Sequence, residues 1–276
     1  MTFQPLDVDA LAAQVPDGAL LALPPDYSYN SAALVRALIR RGVKNLHLLA
    51  VPIGGYLVDL LIGAGCVKVM EAAAVSMGEA GLAPRFTRAV QDGTITMRDS
   101  TCPAIHTALQ AAEKGVPFMP LGGIIGSDIA RYRDDWKLVD DPLGRGNGRI
   151  LLLPAIRPDV AIVHAPLGDR FGNIWVGKRH ELFTIAHAAR TTLATVEEVQ
   201  DDDLTADPVM SAGTIPAMYL GGVAVAKMGA RPLGLGHVYG PDEAHLKDYS
   251  RVAQTDEGFA DYLRREVLGA EAEAAS

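Results

Sequence analysis

The chain has 276 residues and a formal net charge of −8; 49% of its residues are hydrophobic and 21% are charged. Such a composition is typical of a globular protein with a substantial core, and the acidic balance argues against a nucleic-acid or membrane-surface partner, because phosphate groups need a basic field. The two cysteines are far apart in no metal-ligand spacing, which predicts a cytoplasmic protein without a metal site. The acidic N-terminus argues against a signal peptide, and the apolar runs are too short to predict a membrane span.

Helices and strands alternate through the first part of the sequence. Apolar runs bounded by Gly or Pro predict strands, and amphipathic segments with polar caps predict helices. The helix over 31–42 has Ser31 at its N-cap and Gly42 at its end, with Leu34 and Leu38 on one face. Up to residue 123, the predicted elements are a helix at 7–15, a strand within 17–25, a helix at 31–42, a strand at 45–51, a helix at 54–65, a strand at 67–75, a helix at 83–93, a strand at 94–99, a helix at 103–115 and a strand at 116–123.

The second part of the sequence is less regular. Residues 126–148 predict a long, polar, loop-rich excursion, and residues 218–230 have a mixed pattern. The other predicted elements are strands at 149–155, 160–166 and 191–199 and helices at 180–190 and 258–271, the last with a frayed end. Apolar strands between amphipathic helices indicate an α/β fold with an open, mostly parallel sheet and helices on both faces. We predict one domain over 1–276, because no linker or repeat interrupts the pattern.

Ligands of such folds bind at the carboxyl ends of strands, so the connections after strands are the candidate sites. The first is the loop PPDYSYN, residues 24–30. Its residues Tyr27, Ser28, Tyr29 and Asn30 precede a helix N-terminus, which can hold an anion. The alternative, favoured by spacing alone, is an ordinary strand-to-helix connection capped by Ser31.

The second candidate is Glu79 in the segment SMGEAG, residues 76–81, at the end of a predicted strand. A reactive carboxylate needs a partner that shifts its pKa or presents an electrophile. The sequence shows no such partner nearby, so local sequence favours a simple turn residue.

A glycine cluster follows the strand predicted at 116–123. Gly122, Gly123 and Gly126, with Ser127 after them, superficially suggest a phosphate loop. The pattern lacks the lysine of a P-loop and the G-x-G-x-x-G of a dinucleotide fold. Physically, the glycines indicate a close approach of the backbone to a ligand or to another chain.

The fourth candidate is the turn that contains Asp169 and Asn173. The alternative is a simple hairpin, because Gly and Asn accept positive φ. His164, at the end of the preceding strand, is interpreted as a buried histidine with satisfied hydrogen bonds rather than as a base.

Taken together, the order of these segments resembles the A (α) chain type of family I CoA-transferases, most closely the glutaconate CoA-transferase branch. The resemblance extends from about residue 17 to about residue 268. The D-x-x-G-N turn at 169–173 is its most general feature, since subunits of both types have a version of it. The segments that carry the resemblance are SAALVRALIRRGVKNLHLLA, VSMGEAGLAPRF, TALQAAEKGVPFMPLGGIIGSDIARY, PDVAIVHAPLGDRFGNIW and GARPLGLGHVYG.

The resemblance implies a homologous B (β) subunit, with which this chain is expected to form an α2β2 heterotetramer. In that family a glutamate of the β subunit attacks an acyl-CoA. The glutamate forms first an anhydride and then a glutamyl-CoA thioester, and the CoA finally passes to an acceptor carboxylate. The implied substrates are an acyl-CoA and a carboxylic acid, and no cofactor is needed beyond the CoA substrate. Glu79 matches the counterpart of the reactive turn of the β subunit, on the half that does not usually form the thioester. It is therefore expected to line the site or to have a structural role.

Two departures from the family pattern leave alternatives open. The glycine-rich loop after the first strand of the family is replaced here by PPDYSYN, which changes the acyl pocket. Related CoA-thioester hydrolases that open a steroid ring have a carboxylate near the start of the helix before GVPF, where the nearest one here is Asp99. We expect a CoA-transferase α subunit that is active only with its β subunit. The alternatives are an α-type subunit of such a ring-cleaving hydrolase and a non-catalytic ligand-binding α/β protein.

Overall fold

A nine-stranded sheet forms the centre of the computed structural model, which describes residues 4–145 and 148–269. The strands are β1 Leu20–Leu23, β2 Leu46–Ala50, β3 Ile53–Gly54, β4 Val67–Ala72, β5 Ala74–Val75, β6 Thr96–Asp99, β7 Phe118–Leu121, β8 Lys137–Asp140, β9 Arg149–Pro154, β10 Val160–Asp169, β11 Ile174–Trp175, β12 Thr191–Gln200, β13 Thr214–Ile215 and β14 Leu220–Val225. The helices are α1 Val8–Ala12, α2 Ala32–Arg41, α3 Tyr56–Gly63, α4 Pro84–Gln91, α5 Cys102–Glu113, α6 Ile129–Tyr132, α7 His180–Ala188, α8 Glu243–Val252 and α9 Asp256–Leu263.

The parallel strands of the central sheet run in the order β14-β12-β10-β1-β2-β4-β6. The chain moves outward in one direction from β1 to β6 and in the opposite direction from β10 to β14. Because such crossovers are right-handed, the reversal places α2, α3 and α4 on one face and α7 on the other. The predicted open, mostly parallel α/β sheet is confirmed. Its reversal lies between β1 and β10, where doubly wound folds bind their ligands.

Local sequence signals explain the first crossover. The Ser31 hydroxyl accepts from the Leu34 N–H and caps α2, and Gly42 ends the helix with a φ of 75°. Leu34 and Leu38 are fully buried against the sheet. Burial of each such leucine stabilises the fold by about 1.5–3 kcal/mol. The caps and the buried face predicted for this helix are confirmed.

Residues 116–155 depart from the predicted alternation. β7, β8 and β9 form a separate antiparallel sheet, the small sheet, in the order β7-β9-β8. The excursion predicted as loop-rich therefore contains β8 and the short helix α6. Pro120 explains the edge position of β7, since proline has no N–H for a second neighbour. The signal of β8 is weak because it has four residues and only two of them are apolar.

The C-terminal part contains a helix that the sequence pattern did not reveal. Asp242 caps α8 by accepting from the His245 N–H at 3.0 Å, and Tyr249 buries its ring. The mixed segment at 218–230 contains β14, parallel to β12. The closing helix appears as α9 followed by a π-helical turn at Arg264–Leu268. Of the frayed end predicted at 268–276, residues 270–276 lie outside the described residues. In the described chain, no helix combines the length and apolar character needed to cross a membrane.

Candidate functional site

A cavity of about 640 Å³ lies at the carboxyl ends of the strands beside the switch point. The loops after β1, β2 and β5 form its floor and one side, and the segment 233–247 forms the opposite wall. Its charged and phenolic lining residues are Asp26, Tyr27, Tyr56, Glu79, Arg179, Tyr239, Glu243 and Lys247. The mostly parallel sheet therefore has a ligand-sized cavity where its topology predicts one.

Asp26 connects the loop after β1 to the start of α3. The Tyr56 N–H donates to Asp26 Oδ2 at 2.5 Å, so this carboxyl caps a helix that has only Gly55 at its own N-cap. A side chain at position 55 would collide with the carboxyl of Asp26. Burial raises the pKa of Asp26 to about 6, although the N–H groups of Tyr56 and Leu57 act in the opposite direction. Asp26 is therefore a half-buried carboxyl whose pKa lies well above the usual range of an aspartate.

The four candidate residues of the PPDYSYN loop point in different directions. Tyr27 is 60% exposed and lines the cavity. Ser28 is buried and its hydroxyl donates to the carboxylate of Glu181. Tyr29 is buried with a φ of 57°, and Asn30 Nδ2 donates to the Pro24 carbonyl at 2.7 Å. Of these four side chains, the structure brings only Tyr27 to the cavity.

Glu79 lies at the rim of the cavity. It belongs to a short 3₁₀ turn, Gly78–Ala80, and its side chain is exposed. Within residues 4–145 and 148–269, its carboxylate has neither a hydrogen-bond donor nor a cationic partner. Water therefore reaches Glu79 freely in the isolated chain, and nothing here activates it as a nucleophile.

Asp99 lies apart from the cavity, where the small sheet contacts the edge of the central sheet. Its carbonyl accepts from Arg133 Nη1 at 3.1 Å, and its side chain is exposed. Arg133 Nη1 also lies 2.8 Å from Glu71 Oε1. Burial lowers the pKa of Arg133, but the bond to Asp135 and the charge of Glu71 outweigh it and raise that pKa. The surroundings of Asp99 are thus a buried ion-pair network that joins two sheets.

The glycine cluster forms a second, separate surface. Gly122 and Gly123 line a cavity of about 430 Å³ beside the small sheet. Gly126 has a φ of 88°, and the Ser127 hydroxyl donates to the Ile124 carbonyl at 2.8 Å. No described atom approaches within 4 Å of where a Cβ of these three glycines would lie. The structure does not bring this cluster to the cavity at the switch point.

Asp169 and Asn173 hold the turn after β10. Asp169 Oδ1 accepts from the N–H groups of Phe171 and Asn173, and Oδ2 accepts from Asn173 Nδ2 and the Leu204 N–H. Asn173 Oδ1 in turn accepts from the Ala217 N–H at 2.9 Å. Both side chains are buried. The hydrogen bonds of Asp169 and Asn173 fix three chain segments around the turn. A role of these two residues in ligand binding stays a prediction.

Sequence reasoning missed a polar network behind the cavity wall. Glu197 Oε1 accepts from the Tyr239 hydroxyl at 2.6 Å, and Oε2 accepts from the Met228 N–H at 2.7 Å. His164 lies on the other side, with Nε2 2.8 Å from Glu197 Oε1 and Nδ1 2.7 Å from Thr195 Oγ1. His164 is fully buried, so its interpretation as a satisfied core histidine is confirmed.

Hydrogen bonds shift the pKa values of Glu197 and Tyr239 in this network. Burial raises the pKa of Glu197, but the bonds from His164 and Tyr239 outweigh it and lower that pKa to about 2. Burial and the bond to Glu197 raise the pKa of the Tyr239 phenol. Glu197 therefore stays ionised and Tyr239 stays protonated around neutral pH. The network ties the segment 226–241, which supplies part of the cavity wall, to the central sheet.

The missed residues differ in how visible they were. Asp26 lies in the PPDYSYN loop, three positions after the buried strand β1 ends at Leu23, and that position could have marked it as a candidate. Arg179, Tyr239 and Lys247 reach the cavity from distant segments, and no local pattern in the sequence connects them.

Comparison with known proteins gives a consistent result. A family model described as coenzyme A transferase matches residues 7–224. The α-type (A) subunit of glutaconate CoA-transferase from Acidaminococcus fermentans is 30% identical over 94% of this chain and 86% of its own length. A crystal structure of glutaconate coenzyme A-transferase from that organism has a TM-score of 0.84 at 27% identity, covering 97% of this chain and 89% of the matched chain.

Two further relatives extend the comparison. The cholesterol ring-cleaving hydrolase IpdA subunit of Rhodococcus jostii is 30% identical, covering 87% of this chain and 83% of that protein. An uncharacterized protein from Archaeoglobus fulgidus is 31% identical over 87% of this chain, and the match spans only 53% of that protein's length. The family resemblance of the sequence is confirmed, and this chain belongs to the coenzyme A transferase family.

Proposed function

We propose that this chain is the α subunit of a heteromeric CoA-transferase that moves CoA between an acyl-CoA and a carboxylic acid. The observation that carries the proposal is the similarity to the α-type subunit of glutaconate CoA-transferase over 94% of this chain. The family match supports the reaction class. The cavity beside the switch point has a volume suited to an acyl group.

The reaction divides the work between two subunits. The thioester carbonyl is attacked by a glutamate carboxylate of the partner β subunit, the carbon–sulfur bond breaks, and CoA leaves as a thiolate. The thiolate attacks the glutamyl carbonyl of the resulting anhydride, giving a glutamyl-CoA thioester and releasing the first acid. An acceptor carboxylate then repeats these steps in reverse. Each half balances without a redox step, so we propose that no cofactor takes part.

This chain would bind and orient the acyl group and exclude water from it. Tyr27 and the loop after β1 line the cavity on one side, and Tyr239 lines the opposite wall. Glu79 is exposed and has no activating neighbour among the described residues, which supports a nucleophile on the partner subunit. We further propose an α2β2 heterotetramer that works in the cytoplasm.

Co-expression with a β-type partner tests the proposal. The co-purified complex is assayed for CoA transfer from acetyl-CoA to a panel of carboxylic acids, with the two separated subunits as the controls. We expect transfer by the complex and none by either separated subunit. Borohydride treatment in the presence of acyl-CoA should reduce a thioester on the partner. Transfer by this chain on its own would refute the division of labour.

A ring-cleaving CoA-thioester hydrolase is the second candidate, favoured by the similarity to the hydrolase subunit from Rhodococcus jostii. In that reaction Asp99 would supply the carboxylate, since it ends β6 shortly before α5 begins at Cys102. Asp99 lies apart from the cavity described above, so this role requires a second site at that edge of the sheet. An assay for water-dependent loss of the thioester, without an acceptor acid, distinguishes the two reactions. A trapped glutamyl-CoA thioester on the partner counts against the hydrolase.

A further inference from the structure

The floor of the cavity contains a carboxyl group with an unusual set of neighbours. Asp26 is half-buried, lines the cavity, and receives its hydrogen bonds from the main-chain N–H groups of Tyr56 and Leu57. Within the described residues, no Lys or Arg forms an ion pair with it. A charge in this place is stabilised only by the first turn of α3, and burial acts against the charge.

The charges around Asp26 come from four elements. Asp59 of α3 lies behind it and raises the pKa of Asp26 further, after the larger effect of burial. Glu79 faces the cavity from the turn after β5, and Glu243 and Lys247 face it from α8. Arg179, just before α7, lines the cavity with its guanidinium 5.4 Å from the ring centre of Tyr29. Acidic and basic groups on the rim thus offset each other, and Asp26 lies on the floor without a paired cation among the described residues.

We propose that Asp26 recognises a carboxylate ligand through a hydrogen bond. Asp26 takes up one proton when the carboxylate enters the cavity, and its neutral carboxyl then donates that hydrogen bond to a carboxylate oxygen of the ligand. The inference rests on the proposed function, which supplies carboxylic acids as ligands. The proton comes from solvent and returns there when the ligand leaves, so only an O–H bond forms and breaks. Without this proton, two like charges would meet in a half-buried site, which is unfavourable.

A purely structural role as the cap of α3 predicts different behaviour. Asparagine has the same length as aspartate and keeps a side-chain oxygen that accepts from a main-chain N–H. The variant Asp26→Asn therefore preserves the cap and an N–H donor but removes the exchangeable proton. The matched control is Asp59→Asn: Asp59 is a buried carboxyl of the same helix, but it bonds to the Phe86 N–H and the Tyr249 hydroxyl, away from the cavity.

The kinetic test uses the complex with the β subunit, with acetyl-CoA as the donor and butyrate or glutarate as the acceptor. KM for the acceptor is measured between about pH 5.5 and about pH 8.5. In the wild type, we expect KM to rise about tenfold per pH unit above about pH 6, since each unit depletes the neutral carboxyl tenfold. The Asp59→Asn variant should keep the wild-type slope, with its onset at a lower pH because Asp59 no longer raises the pKa of Asp26. Asp26→Asn should show a flat profile. The same slope in Asp26→Asn and the wild type would overturn the inference.

Calorimetry of the wild-type complex keeps the inference testable if Asp26→Asn fails to fold. Glutarate is titrated at about pH 7.5 in two buffers of different ionisation enthalpy, which reports the protons taken up per ligand bound. Uptake of close to one proton supports the inference, and binding without uptake, or no binding, overturns it. Absence of CoA transfer to every acid would instead count against the proposed function, so the two failures are distinguishable.

Discussion

Nε2 of His164 lies 2.8 Å from Oε1 of Glu197, and this contact joins two neighbouring parallel strands at the edge of the cavity wall. The same carboxylate holds the Tyr239 hydroxyl and the Met228 N–H. One side chain thus connects the central sheet to a distant segment that lines the cavity. Its removal should affect both stability and ligand binding, because it anchors that segment through several hydrogen bonds at once.

Glu197→Gln should lower stability in a pH-dependent way. The pKa of Glu197 is lowered from 4.5 to about 2, which corresponds to at most about 3 kcal/mol of stability and to less after solvent screening of this partly exposed carboxylate. Because the folded-state pKa is depressed, this contribution is present above about pH 4.5 and is lost as the pH falls towards about 2. Urea unfolding from neutral pH to acid pH should show the difference between wild type and variant shrinking. The control is Glu198→Gln, an exposed neighbour on the same strand, for which we expect no such trend.

Asp59→Asn should have the opposite pH dependence. Burial raises the pKa of Asp59 from 3.8 to about 6, so its ionisation costs about 3 kcal/mol in the folded state. Stability from this group is fully present below about pH 3.8 and is lost as the pH rises through about 6. Relative to wild type, the variant should therefore gain stability between about pH 4 and about pH 7 in urea unfolding. An unchanged difference over that window would contradict the assignment.

Arg133→Met should loosen the small sheet. The Arg133 side chain is buried and its guanidinium pairs with Glu71 and Asp135. Removal of Arg133 takes the 2.8 Å cation from the buried Glu71 carboxylate, which His47 and Arg98 still approach. The cost should therefore fall below the roughly 3–5 kcal/mol of a fully uncompensated buried charge. We expect a lower urea midpoint and faster proteolysis within residues 116–155. The exposed pair of Arg131 and Asp128 provides the control, since Arg131→Met should cost under about 1 kcal/mol.

Glu79→Gln should lower activity only modestly in the complex with the β subunit. The Glu79 carboxylate lies at the cavity rim and is exposed, so its loss changes the local charge but removes no reacting group. Rates of CoA transfer and borohydride trapping are the measurements. Complete loss of transfer, together with a trapped thioester on Glu79 in the wild type, would show that this chain provides the nucleophile.

Local signals made the central sheet predictable. β1 and α2 are specified by a short apolar run, a serine cap and a terminal glycine, all read within a few residues of one another. The small sheet was not predictable in the same way, because β7 finds its partner β9 about thirty residues later and no local spacing in the sequence specifies that pairing. Polar residues between them concealed β8.

In the candidate site, too, local features could be predicted from the sequence and long-range contacts could not. The cavity lies where the strand order reverses, and the sequence pattern supplied the strand ends that meet there. The pairing of Asp26 with α3, however, depends on a turn thirty positions further along the chain. Glu197 and Tyr239 are likewise separated by 42 positions. Such contacts follow from the packed fold and from no spacing that a single sequence displays.

The way in which Asp26 is held has an evolutionary consequence. Its partners are main-chain N–H groups at the start of α3, and every sequence that forms this helix provides them. Asn has the length of Asp and keeps a side-chain oxygen that can accept from the same donors. A single codon change can therefore alter the polarity of the cavity floor while the helix keeps its cap. Ligand preference in this lineage can diverge at position 26 without compensating substitutions elsewhere.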